Sequence, residues 1–253
     1  MAWRCCAGWV PIFDPIPDAA SVSAAALALS VAPVVAADPV SDTDPAPRPG
    51  PTSGEPATPG RLVVVRHGET LWSQLGRHTG TTDIPLLPAG EQQAVGLRAR
   101  LAGGTFTSVL VSPLGRARRT CELAGFGDVA VVCQDLAEWD YGDVEGRTSA
   151  DVRSERPGWV LWRDGVRDGE TLQEVAERAD RVVAAARAVE GDTLVFAHGH
   201  VIRVLAARWL GLGPETGANF MFGPAAVGVL GWERQTPAVS RWNLSNGDVF
   251  GES

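Results

Sequence analysis

The 253-residue chain holds four histidines, and their placement narrows the chemistry. His67 and His78 lie eleven residues apart, and His198 and His200 flank a single glycine. His67 follows Arg66 and leads into Gly68-Glu69-Thr70. Arg116 ends the run Ser112-Pro113-Leu114-Gly115-Arg116, and Glu138 opens Glu138-Trp139-Asp140-Tyr141-Gly142. Arginine's planar fork of donors suits phosphate oxygens. An imidazole kept neutral by neighbouring arginines can attack phosphorus and carry the group covalently, which splits one hard displacement into two. A nearby carboxyl can protonate the departing alkoxide and then, as carboxylate, take a proton from water. Together these side chains suffice for phosphoryl transfer without a metal.

Taken singly, the same residues say less. A lone histidine is most often a surface or satisfied core residue, and His78 by itself reads that way. His198-Gly199-His200 invites a metal, but no third ligand stands at a zinc spacing. Arginines are mostly solvated, which is the reading for Arg118, Arg119, Arg178, Arg181 and Arg187. Trp159, Trp162 and Trp209 read as packing residues.

Composition excludes several alternatives. All 22 basic residues are arginine, so a Walker lysine, a Schiff-base lysine and pyridoxal-phosphate chemistry are ruled out. With 30 acidic residues the formal charge is −8, which disfavours nucleic acid and anionic membranes as partners of the whole chain. An anionic ligand must therefore find a local arginine cluster. Cys5, Cys6, Cys121 and Cys133 lack zinc-site spacing and are too sparse for a disulfide scaffold. No metal and no cofactor is expected.

The elements that must position these residues begin after a long preamble. Eleven of the 18 prolines fall in the first 60 residues, and Asp38–Gly60 is nearly all Pro, Ala, Ser, Thr, Gly and Asp, so residues 1–60 read as a disordered or low-complexity extension. Within it, 19–37 is an Ala/Val/Leu run resembling a signal-peptide core, though its basic flank is only Arg4. The expectation is a cytoplasmic protein, with secretion the lesser alternative. From Arg61 onward, short apolar runs at Leu62–Val65, Ser108–Val111, Val129–Cys133 and Leu194–Ala197 read as buried parallel strands. Helices are expected over Pro88–Leu101, from a Ser112-Pro113 start towards Leu123, and from about His200 to Leu210. A further helix opens on the capping box Thr171-Leu172-Gln173-Glu174, with Leu172, Val175, Ala176, Ala179, Val182, Val183 and Ala186 on one face. Val227–Trp232 and Val239–Leu244 are candidate late strands. The alternation implies an α/β three-layer sandwich, a mostly parallel sheet with helices on both faces. The domain spans 61–245, and 246–253 is a C-terminal tail.

In such sheets ligands bind beyond the carboxyl ends of the strands. That rule gathers Arg66 and His67, Ser112 to Arg116, Glu138, and His198 with His200 into one crevice, and this convergence outweighs the single-residue readings.

The motifs strand-Arg66-His67-Gly68-Glu69-Thr70, Ser112-Pro113-Leu114-x-Arg116, Glu138-x-x-Tyr141-Gly142 and strand-His198-Gly199 resemble, in this order, the phosphoglycerate-mutase-like branch of the histidine phosphatase superfamily, over Arg61–Trp232. The resemblance implies a phosphoglycerate-mutase-like fold, His67 as nucleophile, Arg66, Arg116 and His198 as holders of the phosphoryl group, and Glu138 as proton donor. Gly76-Arg77-His78-Thr79-Gly80-Thr81-Thr82-Asp83 is similar to the family's substrate loop, which implies substrate contacts from Arg77, Thr79 and Gly80, with His200 added from the second histidine segment. Many members carry asparagine where this chain has Ser73 and His200, and mutases have Arg-His-Tyr after the acid where Trp139-Asp140-Tyr141 stands here. Glu138 and His198 lie only 60 residues apart, leaving little for a lid. The variant is similar to acid phosphatases and sugar-bisphosphate phosphatases, so hydrolysis of a small phosphorylated metabolite is expected. A phosphoglycerate mutase and a non-catalytic phospho-ligand-binding module are the alternatives, and a homodimer is left open.

Because residues 1–60 carry none of these motifs, their removal is expected to leave phosphate release unchanged. A soluble but inactive Arg61–Ser253 protein would show that the extension contributes to the site.

Overall fold

The computed structural model describes residues 59–245, 249 and 250. The extension to residue 58, with the 19–37 run and Cys5 and Cys6, lies outside them, as does most of the 246–253 tail. Within that tail Val249 is buried, and the Phe250 ring lies 6.0 Å from Phe106.

Among the described residues six strands form one sheet in the order β3-β2-β4-β1-β5-β6. They are β1 (Leu62–Arg66), β2 (Phe106–Val111), β3 (Val131–Val132), β4 (Asp192–Ala197), β5 (Val227–Glu233) and β6 (Thr236–Leu244). The first four run parallel, while β5 pairs antiparallel with β1 and β6 antiparallel with β5. The central strands are unbroken apolar runs because both faces are covered. Leu62, Val64, Val195 and Ala197 point to one core, and Val63, Val65, Leu194 and Phe196 to the other.

The helices are α1 (Leu71–Gln74), α2 (Pro88–Leu101), α3 (Gly115–Leu123), α4 (Ser149–Glu155), α5 (Leu161–Asp164), α6 (Leu172–Ala188) and α7 (Gly199–Trp209). Side chains of α2 and α3 fill one core and those of α6 and α7 the other, giving the expected three layers. The Thr171 capping box forms as expected: the Glu174 amide donates to Thr171 Oγ1 (3.2 Å) and the Thr171 amide to Glu174 Oε2 (2.8 Å).

Three local expectations change. The apolar run at 129–133 yields only the two-residue β3, with Val129, Val131 and Val132 exposed, because it sits at the sheet edge with β2 as its sole strand partner. Helix α3 starts at Gly115 with Leu114 at its N-cap, and the Ser112 hydroxyl, 2.7 Å from His198 Nε2, accepts the Leu114 amide (3.3 Å) ahead of the helix instead of capping it. The 59 residues between Glu138 and His198 supply α4 and α5 as well as α6. Among the described residues no helix is long and apolar enough to cross a membrane.

Gly90, in the first turn of α2, meets the loop after β1 so closely that an added Cβ would lie 2.2 Å from the Glu69 carbonyl oxygen. Gly→Ala inside a helix ordinarily stabilises. Here Gly90→Ala is expected to destabilise by about 1–3 kcal/mol through overpacking, measured by urea unfolding. A gain in stability would contradict the close approach.

Candidate active site

Strands β1 and β4 are parallel neighbours with Arg66 opposite Ala197. The next residues, His67 and His198, therefore stand side by side with ring centroids 5.1 Å apart. The chain leaves β1 for α2 on one face and β4 for α7 on the other, so the crevice lies where the winding reverses. On the far side of β4, Val111 is opposite Phe196, which brings Ser112 Oγ to 2.7 Å from His198 Nε2.

His67 Nδ1 lies 2.7 Å from the Gly68 carbonyl oxygen. A carbonyl can only accept, so Nδ1 carries the proton and Nε2 holds a lone pair. Burial, reinforced by the charges of Arg66 and Arg116, holds His67 well below the usual histidine range, against a smaller opposing effect of the Gly68 bond. His198 is held low in the same way, by burial and then by Arg116. The Arg116 Nε–H donates to His198 Nδ1 (3.2 Å), leaving His198 Nε2–H to face Ser112.

The two arginines differ. Arg66 Nη1 donates to the Phe222 carbonyl (2.6 Å), while its buried Nε has no partner. Room for this guanidinium depends on Gly199, where a Cβ would lie 3.2 Å from Arg66 Cζ. Arg116 is fully buried, and its terminal nitrogens donate to the carbonyls of Thr79, Gly80 and Thr82 at 2.9–3.0 Å.

A cavity of about 260 Å³ opens in front of Arg66 and His67, with Glu138, Tyr141 and His200 in its wall. Glu138 Oε1 accepts from the amides of Trp139 (3.0 Å) and Val201 (2.9 Å), and Oε2 from that of His200 (3.0 Å). The carboxylate thus sits on the positive N-terminus of α7. The Tyr141 hydroxyl is 2.6 Å from His200 Nδ1.

Of the substrate-loop residues, Arg77 and Thr79 line the cavity. Gly80 lies behind its wall, where its amide donates to both Glu145 oxygens and a Cβ would meet the Trp139 carbonyl oxygen at 2.4 Å. Arg116 and His198 also lie behind the wall, engaged with protein partners.

Three residues escape a sequence reading. His78, expected to be bland, is buried and lines the cavity, packed between Tyr141 and Trp159 with ring centroids at 5.0 and 5.7 Å. Burial lowers it to about 4. Arg203 reaches the cavity from α7, anchored by Nε and Nη2 to the Gly217 and Ala218 carbonyls (2.9 Å each) and stacked 4.6 Å over Trp162. Its position three residues beyond His200 puts both on one helix face, the one signal that could have found it. Arg178, expected to be solvated, is buried and paired with Glu170.

An imidazole with a free Nε2, an arginine guanidinium and a carboxylate on a helix N-terminus, gathered around one cavity at the switch point of a doubly wound sheet, fit a phosphoryl-transfer enzyme of the α/β class. Residues 62–245 match the histidine phosphatase superfamily (branch 1), and the chain belongs to that family and is a phosphatase of it. It is 40% identical over 178 residues to an acid phosphatase of Mycobacterium tuberculosis, covering 68% of this chain and 87% of the relative. A sedoheptulose 1,7-bisphosphatase of Saccharomyces cerevisiae is 39% identical, covering 63% of this chain and 71% of the relative. The solved structure of an open reading frame product from Mycobacterium tuberculosis superimposes with a TM-score of 0.69 at 38% identity, covering 73% of this chain and 97% of that one.

All four histidines are held below their ordinary value by burial. In the unfolded chain they take up protons near pH 6.5, whereas the native state resists, so stability is complete above that pH and falls as pH drops from about 6.5 towards 4. His78, lowered to about 4, accounts for roughly 3 kcal/mol of that loss. Unfolding free energy measured by urea between pH 7 and 4 should fall, and the slope should flatten in His78→Gln. An unchanged slope would remove His78 from this role.

Proposed function

We propose that the chain is a metal-independent phosphomonoesterase that hydrolyses small phosphorylated metabolites, such as sugar phosphates, through a phosphohistidine on His67. The observation that carries the reading is the His67 ring in the cavity wall, with Nδ1 bound to the Gly68 carbonyl and Nε2 free, within the field of the Arg66 charge.

In the first displacement His67 Nε2 forms a bond to phosphorus as the ester P–O bond breaks, and the departing alkoxide takes a proton from the Glu138 carboxyl. In the second, water attacks phosphorus, gives a proton to the Glu138 carboxylate, and the N–P bond breaks to release phosphate. Arg66 lines the cavity and brings its guanidinium charge to a phosphoryl group bound there. Arg116 and His198 can join it only by exchanging a protein partner for that oxygen, while the Arg116 charge acts from behind without moving. Guanidinium groups supply the charge neutralisation that a metal supplies in other phosphatases. A volume of about 260 Å³ suits a small metabolite, and the relatives at 40% and 39% identity are both named as phosphatases.

His67→Ala is expected to abolish turnover together with an acid-labile, base-stable adduct trapped by rapid quench. Near-normal turnover of that variant would overturn the nucleophile. Glu138→Gln should cost about 10²–10⁴-fold on an alkyl phosphate and less on nitrophenyl phosphate, whose leaving group hardly needs a proton. Chelators should leave activity intact, and restoration by a divalent ion after chelation would contradict the metal-free reading. With 3-phosphoglycerate and a 2,3-bisphosphoglycerate primer, phosphate release should exceed isomerisation. The reverse would make the enzyme a mutase.

A further inference from the structure

Arg178 occupies the apolar face of α6, among Val175, Ala179 and Val182, where a leucine would pack without any charge to compensate. Its side chain is almost wholly buried and every branch of the guanidinium is used. Nε and Nη2 form a bidentate pair with Glu170 (2.8 and 2.9 Å), and Nη1 donates to the carbonyls of Asp135 (2.9 Å) and Ala137 (2.6 Å). Glu170 in turn grips the other side of the same loop. Its Oε2 accepts the Asp140 amide (2.9 Å), its carbonyl accepts Trp139 Nε1 (2.7 Å), and its own amide donates to the Asp140 carbonyl (3.0 Å). The residues held are Asp135 and Ala137 on one side and Trp139 and Asp140 on the other. The residue between them is Glu138.

We propose that the buried Arg178–Glu170 pair is a positioning device for Glu138, fixing the backbone on both sides of it so that its carboxyl delivers the proton to the leaving group. This rests on the reading of Glu138 as the acid. Neither Arg178 nor Glu170 lines the cavity, so both act through Glu138 and neither is a catalytic residue. A buried ion pair is commonly replaceable by apolar residues without loss of stability, so stability alone gives little reason for a charge here. Geometry gives one. The α7 amides hold the Glu138 carboxylate, but the reach from backbone to cavity is set by the loop, and a displacement of about 1 Å can cost about 10²-fold.

The test compares an alkyl phosphate with nitrophenyl phosphate as substrates of the full-length protein. Arg178→Lys keeps the charge but cannot bridge two carbonyls and two carboxylate oxygens at once. It is expected to lower kcat/KM, which reports the first displacement alone, by about 10–10²-fold on the alkyl phosphate and by clearly less on nitrophenyl phosphate. Combined with Glu138→Gln it should cost no more on the alkyl phosphate than Glu138→Gln alone, since both changes remove one function. Glu170→Gln should show the same pattern, and it carries the comparison should Arg178→Lys fail to fold by its melting curve. Equal losses on both substrates, or additive losses in the double variant, would make the pair merely structural and overturn the proposal while leaving Glu138 as the acid. If Glu138→Gln itself loses equally on both substrates, the acid assignment fails and the clamp falls with it.

Discussion

The register of two parallel strands is the constraint on which the site depends. Arg66 opposite Ala197 makes His67 and His198 neighbours, and Val111 opposite Phe196 brings Ser112 to the same point. A slip of one residue would turn every side chain of β1 to the other face and exchange the two cores. In the observed register Leu62 and Val64 pack in the layer of α6 and α7, and Val63 and Val65 in that of α2 and α3. The chemistry is thus held by packing that has no chemical role of its own.

Charge is the second constraint. The half-buried Arg66 and the buried Arg116 stand beside two imidazoles, with their cost offset by backbone carbonyls, by Glu138 in the cavity wall and, for Arg116, by Asp83 at 3.7 Å. Arg116 is satisfied by the substrate loop itself, through Thr79, Gly80 and Thr82, so this cation also staples that loop against the sheet. Burial, and then the charges of Arg66 and Arg116, disfavour protonation of both imidazoles.

Much of this was legible in the sequence, and for identifiable reasons. The doubly buried strands β1 and β4 announce themselves as unbroken apolar runs, the capping box marks the start of α6, and the strand-end rule collects Arg66, His67, Glu138, His198 and His200 without knowledge of the fold. What failed to show were residues whose meaning depends on a distant partner. Arg178 has the spacing of a surface arginine until Glu170 and the loop at 135–140 are brought to it. His78 is an unremarkable loop histidine until Trp159 and Tyr141 close around it. Ser112 looked like a helix cap because nothing local reveals that His198 engages its hydroxyl. The run at 129–133 looked like a buried strand because apolarity does not report whether a strand lies at the edge.

The Gly68 carbonyl that occupies His67 Nδ1 also bears on stereochemistry. With one ring nitrogen engaged by the backbone, the proposed route has only Nε2 for both the incoming and the outgoing phosphoryl group. Each displacement occurs in line and inverts phosphorus, and the two take place on the same nitrogen. A thiophosphate ester made chiral with two oxygen isotopes and hydrolysed in water of the third would therefore give chiral thiophosphate with net retention. Direct attack by water would return its mirror image, so a single backbone carbonyl ties the local geometry of one ring to the configuration of the product.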